Sequence, residues 1–210
     1  MSKVLIVGAA GRIPKYLIPR LLNGGHYLVL YARNASERLS QYKQQGVTIV
    51  DGDINDIDTL TKAMQDVDVV YINAFHNQRI AESVKQSMES ANVSRVIVAS
   101  VLGIYGEVVG KFGQWNEDMV GHGLPDRKAA ADVIENSDLD YTIMRLTWLY
   151  DHDNTEYEIT KKGEPFKGAQ VTRQAIAQLI EDIINNTTLY SKSSIGVNEP
   201  NTYFDKPSFI

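Results

Sequence analysis

Short aliphatic runs recur along the chain with amphipathic segments between them: KVLIV (3–7), YLVLYA (27–32), VTIVD (47–51), VDVVYIN (67–73), SRVIVAS (94–100) and LDYTIMR (139–145). Each run is close to continuously hydrophobic, without polar alternation. That is the pattern of strands covered by helices on both faces, and so of parallel pairing. Helix patterns fall between the runs, near 12–23, 36–45, 56–65, 77–91 and 115–136. A strand–helix order repeated at least five times predicts an α/β fold built on a doubly wound parallel sheet.

Helix punctuation agrees with this order. Asn34 or Ser36 is placed to cap the second helix and Asp56 the third, while Gly46 and Asn92 stand where helices should stop. After Arg145 the pattern changes to a polar, turn-rich stretch, TWLYDHDNTEYEITKKGEPFKGAQ. A 3.6-residue period then returns in TRQAIAQLIEDIINN, predicting a helix near 172–185 and a short strand near 194–198.

Composition narrows the range of functions. Hydrophobic residues at 43% and charged residues at 22% supply a core, so long disorder is not expected. A formal charge of -5 offers no broad basic surface for a phosphate backbone, which argues against direct nucleic-acid binding. With no cysteine, disulfides, thiolate metal sites and cysteine nucleophiles are all excluded. The N-terminus passes directly into a strand, and no apolar run approaches 18 residues. The expectation is a cytoplasmic protein, monomer or homodimer, with no membrane partner.

The first strand ends in Gly8-Ala9-Ala10-Gly11-Arg12-Ile13-Pro14. A strand-to-helix junction aims backbone N–H groups and the positive helix end at one spot, which suits a pyrophosphate. Gly8 permits the tight turn and Gly11 the close approach of backbone to phosphate, so Gly8, Ala10, Gly11, Arg12 and Ile13 are candidate cofactor contacts. Pro14 replaces the glycine expected there. It is at home in a first helical turn, where its missing N–H has no intrahelical partner.

An acid at the end of the second strand would accept from the ribose hydroxyls of NAD, whereas an arginine suits the 2′-phosphate of NADP. The residue is Arg33, with no acid near it in sequence before Glu37 and with Arg12 available to flank the same phosphate. NADP(H) is therefore expected over NAD(H). The chain then reads as one Rossmann-like NAD(P)-binding domain over 1–210. Its dinucleotide-binding core is expected over 1–150, with a small substrate lobe and C-terminal elements over 151–210.

From VLIVGAAGRIP through YARN, VDGDINDIDTL, VIVASVLG and DYTIMRLTWL to TRQAIAQLI, the chain resembles an atypical short-chain dehydrogenase/reductase of the NAD(P)H-binding, NmrA-like group. The resemblance implies that Asp53, with Ile54, borders the adenine and that Asn73, Ala74 and Phe75 pass along the cofactor. It also implies a nicotinamide near Ser100, Val101, Leu146, Thr147 and Trp148. Asp53 has a second role open to it, shaping a turn before the third helix.

Reductases of that superfamily often use a Tyr-x-x-x-Lys pair on one helix face. Lys128 fits the lysine, as a candidate for both catalysis and cofactor binding, but Leu124 stands four residues earlier. The literal match, Tyr157 with Lys161, falls in a segment read as strand or loop and is taken as coincidence. Ser100 and Tyr105 complete the candidate catalytic set, with His122 a further possibility in the same region. His76 and His152 show no ligand spacing, so no metal is expected. Trp148 and Phe75 offer an aromatic wall. A quinone or flavin accepts hydride without a strong protein acid, which fits the absent tyrosine. Two readings follow: an NADP(H)-dependent oxidoreductase acting on a small planar acceptor (quinone, flavin or carbonyl compound), and a non-catalytic NADP(H)-binding redox sensor.

Overall fold

The computed structural model describes residues 1–210. Ten strands form: β1 (Lys3–Val7), β2 (Tyr27–Ala32), β3 (Val47–Asp51), β4 (Val69–Ile72), β5 (Arg95–Val101), β6 (Asp140–Leu146), β7 (Trp148–Tyr150), β8 (Glu158–Lys161), β9 (Gln170–Thr172) and β10 (Ser193–Asn198). Seven α-helices accompany them: α1 (Pro14–Asn23), α2 (Ala35–Arg38), α3 (Ile57–Ala63), α4 (Gln78–Ser90), α5 (Gly110–Val120), α6 (Leu124–Glu135) and α7 (Arg173–Asn185).

Eight strands make the main sheet in the order β3-β2-β1-β4-β5-β6-β10-β8, parallel throughout except for β8, which runs antiparallel along β10. The continuous hydrophobic runs are buried on both faces, as the predicted parallel pairing requires. On one face, Leu17, Ile18 and Leu21 of α1 and Ile176, Leu179 and Ile183 of α7 share a core with Val4, Ile6 and Leu30. On the other, Leu60 of α3, Val84 and Met88 of α4 and Ile134 of α6 pack on Leu5, Val7, Val70 and Val98. The chain order reverses between β1 and β4, and in an open α/β sheet the crevice beside such a reversal, at the carboxyl ends of the strands, holds ligands.

Residues beyond 150 return to the same sheet through β8 and β10, while β7 and β9 form a separate two-stranded parallel pair. Thr172 caps α7, its hydroxyl accepting from the Ala175 amide.

Three local expectations are corrected. The helix expected over 115–136 is two helices, because Gly121-His122-Gly123 forms a single 3-10 turn between α5 and α6 and Pro125 sits in the first turn of α6. The helix expected over 36–45 shortens to α2 and a 3-10 turn at 40–42. Asn34 precedes α2 in the left-handed region, φ 53°, without a side-chain capping bond, and the Ser36 hydroxyl instead donates to Asp51. Asp56 caps α3 as expected, accepting from the Thr59 amide at 3.1 Å.

Candidate functional site

At the β1–α1 junction Gly8 has φ 78°, a conformation that favours glycine, and its amide bonds the Tyr31 carbonyl at 2.9 Å. The amides of Ala10, Arg12 and Ile13 donate to no protein acceptor, and α1 follows with Pro14 at its start. Free amides at the positive end of a ten-residue helix fit a pyrophosphate. Gly11 also has a packing reason to lack a side chain. A Cβ there would overlap the Asn73 side-chain nitrogen and lie 3.1 Å from the Gly8 carbonyl oxygen. The glycine makes room for Asn73, whose Oδ1 in turn accepts from the buried Tyr71 hydroxyl at 2.9 Å.

A crevice runs from this turn across the ends of β2 and β3, lined by Arg33, Asp53, Ile54, Asn73 and Ala74. Arg33 is exposed and has no ion-pair partner. Beside it lies Arg38, which the sequence reading missed; it donates to the carbonyls of Arg33 (3.2 Å) and Ala10 (3.3 Å), tying α2 to the glycine turn. The sheet also brings in an acid that chain distance hides, since Asp51 pairs with Ala32 across β2 and β3. Its oxygens accept from Ser36, whose hydroxyl and amide hold the carboxyl below the usual carboxylate range. Asp53 is likewise lowered, by the backbone and side-chain amides of Asn55 at 2.9 Å each. One oxygen thus closes a turn on Asn55, and the residue still lines the crevice.

Arg12 does not join Arg33. Its guanidinium pairs with Asp151 at 3.0 Å, and Asp151 also pairs with Arg173 at 2.9 Å. This places Arg12 in the next crevice, with Ile13, Phe75, Ser100, Arg127 and Thr147. Asn73 and His76 line both crevices, so the two are continuous. Ser100 Oγ is buried here, its residue 3% exposed, with no protein hydrogen-bond partner. A buried hydroxyl in that state fits a ligand that supplies the missing bond. The Thr147 hydroxyl is already committed, donating to the Gly168 carbonyl at 3.1 Å.

The trench opens further into an apolar crevice of about 460 Å³ walled by Val101, Leu102, Leu124, Trp148, Leu149 and Phe209. Trp148 is fixed there by its indole N–H, which donates to Asn116 at 3.0 Å. Phe75 is 2% exposed and belongs to the neighbouring crevice, so it does not form the expected aromatic wall with Trp148.

Two catalytic candidates are corrected. The Tyr105 hydroxyl donates to Glu135 at 2.8 Å, and burial, with Glu135 adding to it, pushes the phenol well above its ordinary range. Neither crevice around Ser100 is lined by Tyr105. Lys128 is bound to Asp132 one turn on, at 2.5 and 2.7 Å, and lines neither crevice. The charged residue that α6 presents to the trench is Arg127. The signal was in the sequence: Leu124, Arg127, Ala131 and Ile134 share one helical stripe, and an arginine on an otherwise apolar stripe marks a polar site beside the core. His122 is exposed and lines neither crevice, and Tyr157 donates to Asp182 at 2.8 Å beside strand β8, so its pairing with Lys161 has no helix behind it. Tyr105→Phe is expected to leave turnover within about twofold of wild type and to lower Tm by roughly 2–4 °C for one lost hydrogen bond of about 1 kcal/mol. A tenfold fall in kcat/KM would return Tyr105 to the chemistry.

Residues 8–187 match the family described as NAD(P)H-binding. A short-chain dehydrogenase/reductase from Veillonella parvula, solved in complex with NADP, is 33% identical with a TM-score of 0.95, the match covering 99% of each chain. A Rossmann-fold NAD(P)-binding family protein from Shigella flexneri is 35% identical with a TM-score of 0.84, over 100% of each chain. An isoflavone reductase homolog from Nicotiana tabacum is 34% identical over 106 residues, 46% of this chain and 34% of that protein. The chain thus spans about a third of the length of the curated plant relatives it matches. No helix is long and apolar enough to cross a membrane. With family match, full-length structural likeness and trench geometry in agreement, the chain belongs to the NAD(P)H-binding family, as an atypical short-chain dehydrogenase/reductase of the NmrA-like group.

Proposed function

We propose that the protein is an NADP(H)-dependent oxidoreductase that reduces a small planar acceptor, a quinone, flavin or carbonyl compound. One observation carries the reading: a continuous trench runs from the unpaired Arg33, past the free amides of Ala10, Arg12 and Ile13, to the buried Ser100 hydroxyl and into an apolar crevice. Arg33, with Arg38 behind it, would hold the 2′-phosphate, the turn amides the pyrophosphate, Asp53 and Ile54 the adenine end, and Ser100 the nicotinamide end. The NADP complex of the Veillonella protein supports this choice of dinucleotide.

When bound, the cofactor supplies the hydride. The chain contributes binding, orientation and exclusion of water. Trp148, Leu124 and Leu149 give the acceptor flat apolar walls, and Thr147 is locked onto Gly168 and moves no proton. With Tyr105 turned to Glu135 and Leu124 at the tyrosine position, no side-chain acid faces the crevice, which favours acceptors whose reduced form solvent can protonate.

Arg33→Ala is the direct test. It is expected to weaken NADPH by about 10- to 30-fold and NADH by less than about threefold, the loss of one solvent-screened charge-assisted contact. Equal weakening of both cofactors, or of neither, would overturn the assignment of the 2′-phosphate. The same missing acid favours a second reading, a redox sensor that binds NADP(H) without turnover. Steady NADPH oxidation with any acceptor of the three classes rules that out, and its absence across all three, with binding intact, favours the sensor.

A further inference from the structure

We infer that the apolar crevice selects acceptors carrying an oxyanion, and that Arg127 is the residue that recognises it; this rests on the oxidoreductase reading above. Three arginines border the trench on this side: Arg12, Arg127 and Arg173. One carboxylate, Asp151, serves both Arg12 and Arg173, at 3.0 and 2.9 Å. Arg127 has no acid. Its one hydrogen bond goes to the Gly123 carbonyl at 3.0 Å, on the residue just before its own helix. His76 lines the same crevice, its imidazole held below its ordinary range first by desolvation and then by the Arg127 charge, and an imidazole supplies no negative charge.

Position makes the charge selective. Arg127 lines the Ser100 crevice and the apolar crevice together, at their junction. Around it the apolar crevice presents Val101, Leu124, Leu146 and Trp148; the Thr147 hydroxyl is used on Gly168, the Trp148 indole on the Asn116 side-chain oxygen and Arg173 on Asp151, and Ile210 lines the same crevice. A half-buried guanidinium without a counter-ion, at the rim of an apolar slot, is under-compensated. It gains most from an anion delivered by a ligand whose flat body fills the slot. Carboxylate, phosphate and sulfonate share the required chemistry, and the planar guanidinium suits each by paired N–H donors.

Trp148 walls this crevice and lies 4.8 Å between ring centroids from Trp115, the chain's second tryptophan, so tryptophan fluorescence reports binding without turnover. The probes are anthraquinone-2-carboxylate and its neutral carboxamide, titrated into the full chain saturated with NADP+. Sodium phosphate and sodium acetate compete separately, to tell which oxyanion is preferred. Wild type is expected to bind the carboxylate at least about tenfold tighter than the carboxamide. Arg127→Gln should abolish that preference while moving the carboxamide by less than about threefold, and Arg127→Lys should restore part of it.

Equal binding of the two probes by wild type would overturn the inference, as would a preference that survives in Arg127→Gln. So would a loss of NADP+ affinity in Arg127→Gln with the acceptor preference intact, since that would assign the charge to the cofactor. The outcomes separate from the parent reading: preference without NADPH oxidation leaves the oxyanion site and removes the reductase, and oxidation without preference does the reverse.

Discussion

Gly11→Val is expected to weaken NADPH and NADH together by about 100-fold while the chain still folds, because overpacking the turn with an isopropyl group costs roughly 1–3 kcal/mol and is relieved only by moving it. The Cβ alone meets the Asn73 side chain, and Asn73 is pinned by the Tyr71 hydroxyl at 2.9 Å, within a tyrosine that is fully buried. The Gly8 carbonyl, 3.1 Å away, is backbone and cannot swing aside. The turn must shift, and the free amides of Ala10, Arg12 and Ile13 shift with it. Calorimetric titration with both cofactors reads the effect, and circular dichroism checks the fold. Unchanged binding would mean that the turn is scaffold only.

Glu107→Ala is expected to destabilise the protein by about 3–5 kcal/mol, because it leaves a buried guanidinium without its partner. The Arg145 side chain is 0% exposed and the Glu107 side chain 4%, and they meet at 2.6 Å. Glu107 also accepts from the amides of Gly103 (3.0 Å) and Tyr105 (2.9 Å), so the same substitution orphans two backbone donors in the loop after β5. Arg145 keeps one hydrogen bond, to the Thr160 carbonyl at 3.2 Å, and the Tyr105 ring, 5.5 Å from its guanidinium carbon. The measurement is urea unfolding of wild type, Glu107→Ala and the double variant Glu107→Leu with Arg145→Met. The double variant should be less destabilised than the single one, since removing both charges leaves nothing uncompensated. A single-variant loss below about 1 kcal/mol would show that water reaches Arg145.

The parallel sheet was legible because helices on both faces force continuous hydrophobic strands, and those runs match β1 to β6 within one or two residues. The glycine turn was legible for the same kind of reason, since a tight strand-to-helix junction restricts residue type locally. What escaped depends on contacts between distant segments. Asp51 lies near Arg33 only through the β2–β3 register, and Arg12 turns from Arg33 because Asp151 arrives from beyond β7. The helix expected over 115–136 hid a break at Gly121-His122-Gly123, and with it the phase that points Arg127, not Lys128, at the trench. Tyr105 illustrates the limit in one residue. Its distance along the chain from Ser100 suited a catalytic group, but Glu135 on α6 draws its hydroxyl to the other side.

The central claim, a dinucleotide trench that distinguishes the 2′-phosphate, is tested most directly by titrating the purified protein with NADPH and with NADH in a calorimeter under identical salt. The account predicts one site per chain, with NADPH bound at least about tenfold tighter than NADH, as one charge-assisted contact requires. Equal affinity for the two would contradict the role of Arg33, and binding of neither would contradict the trench itself.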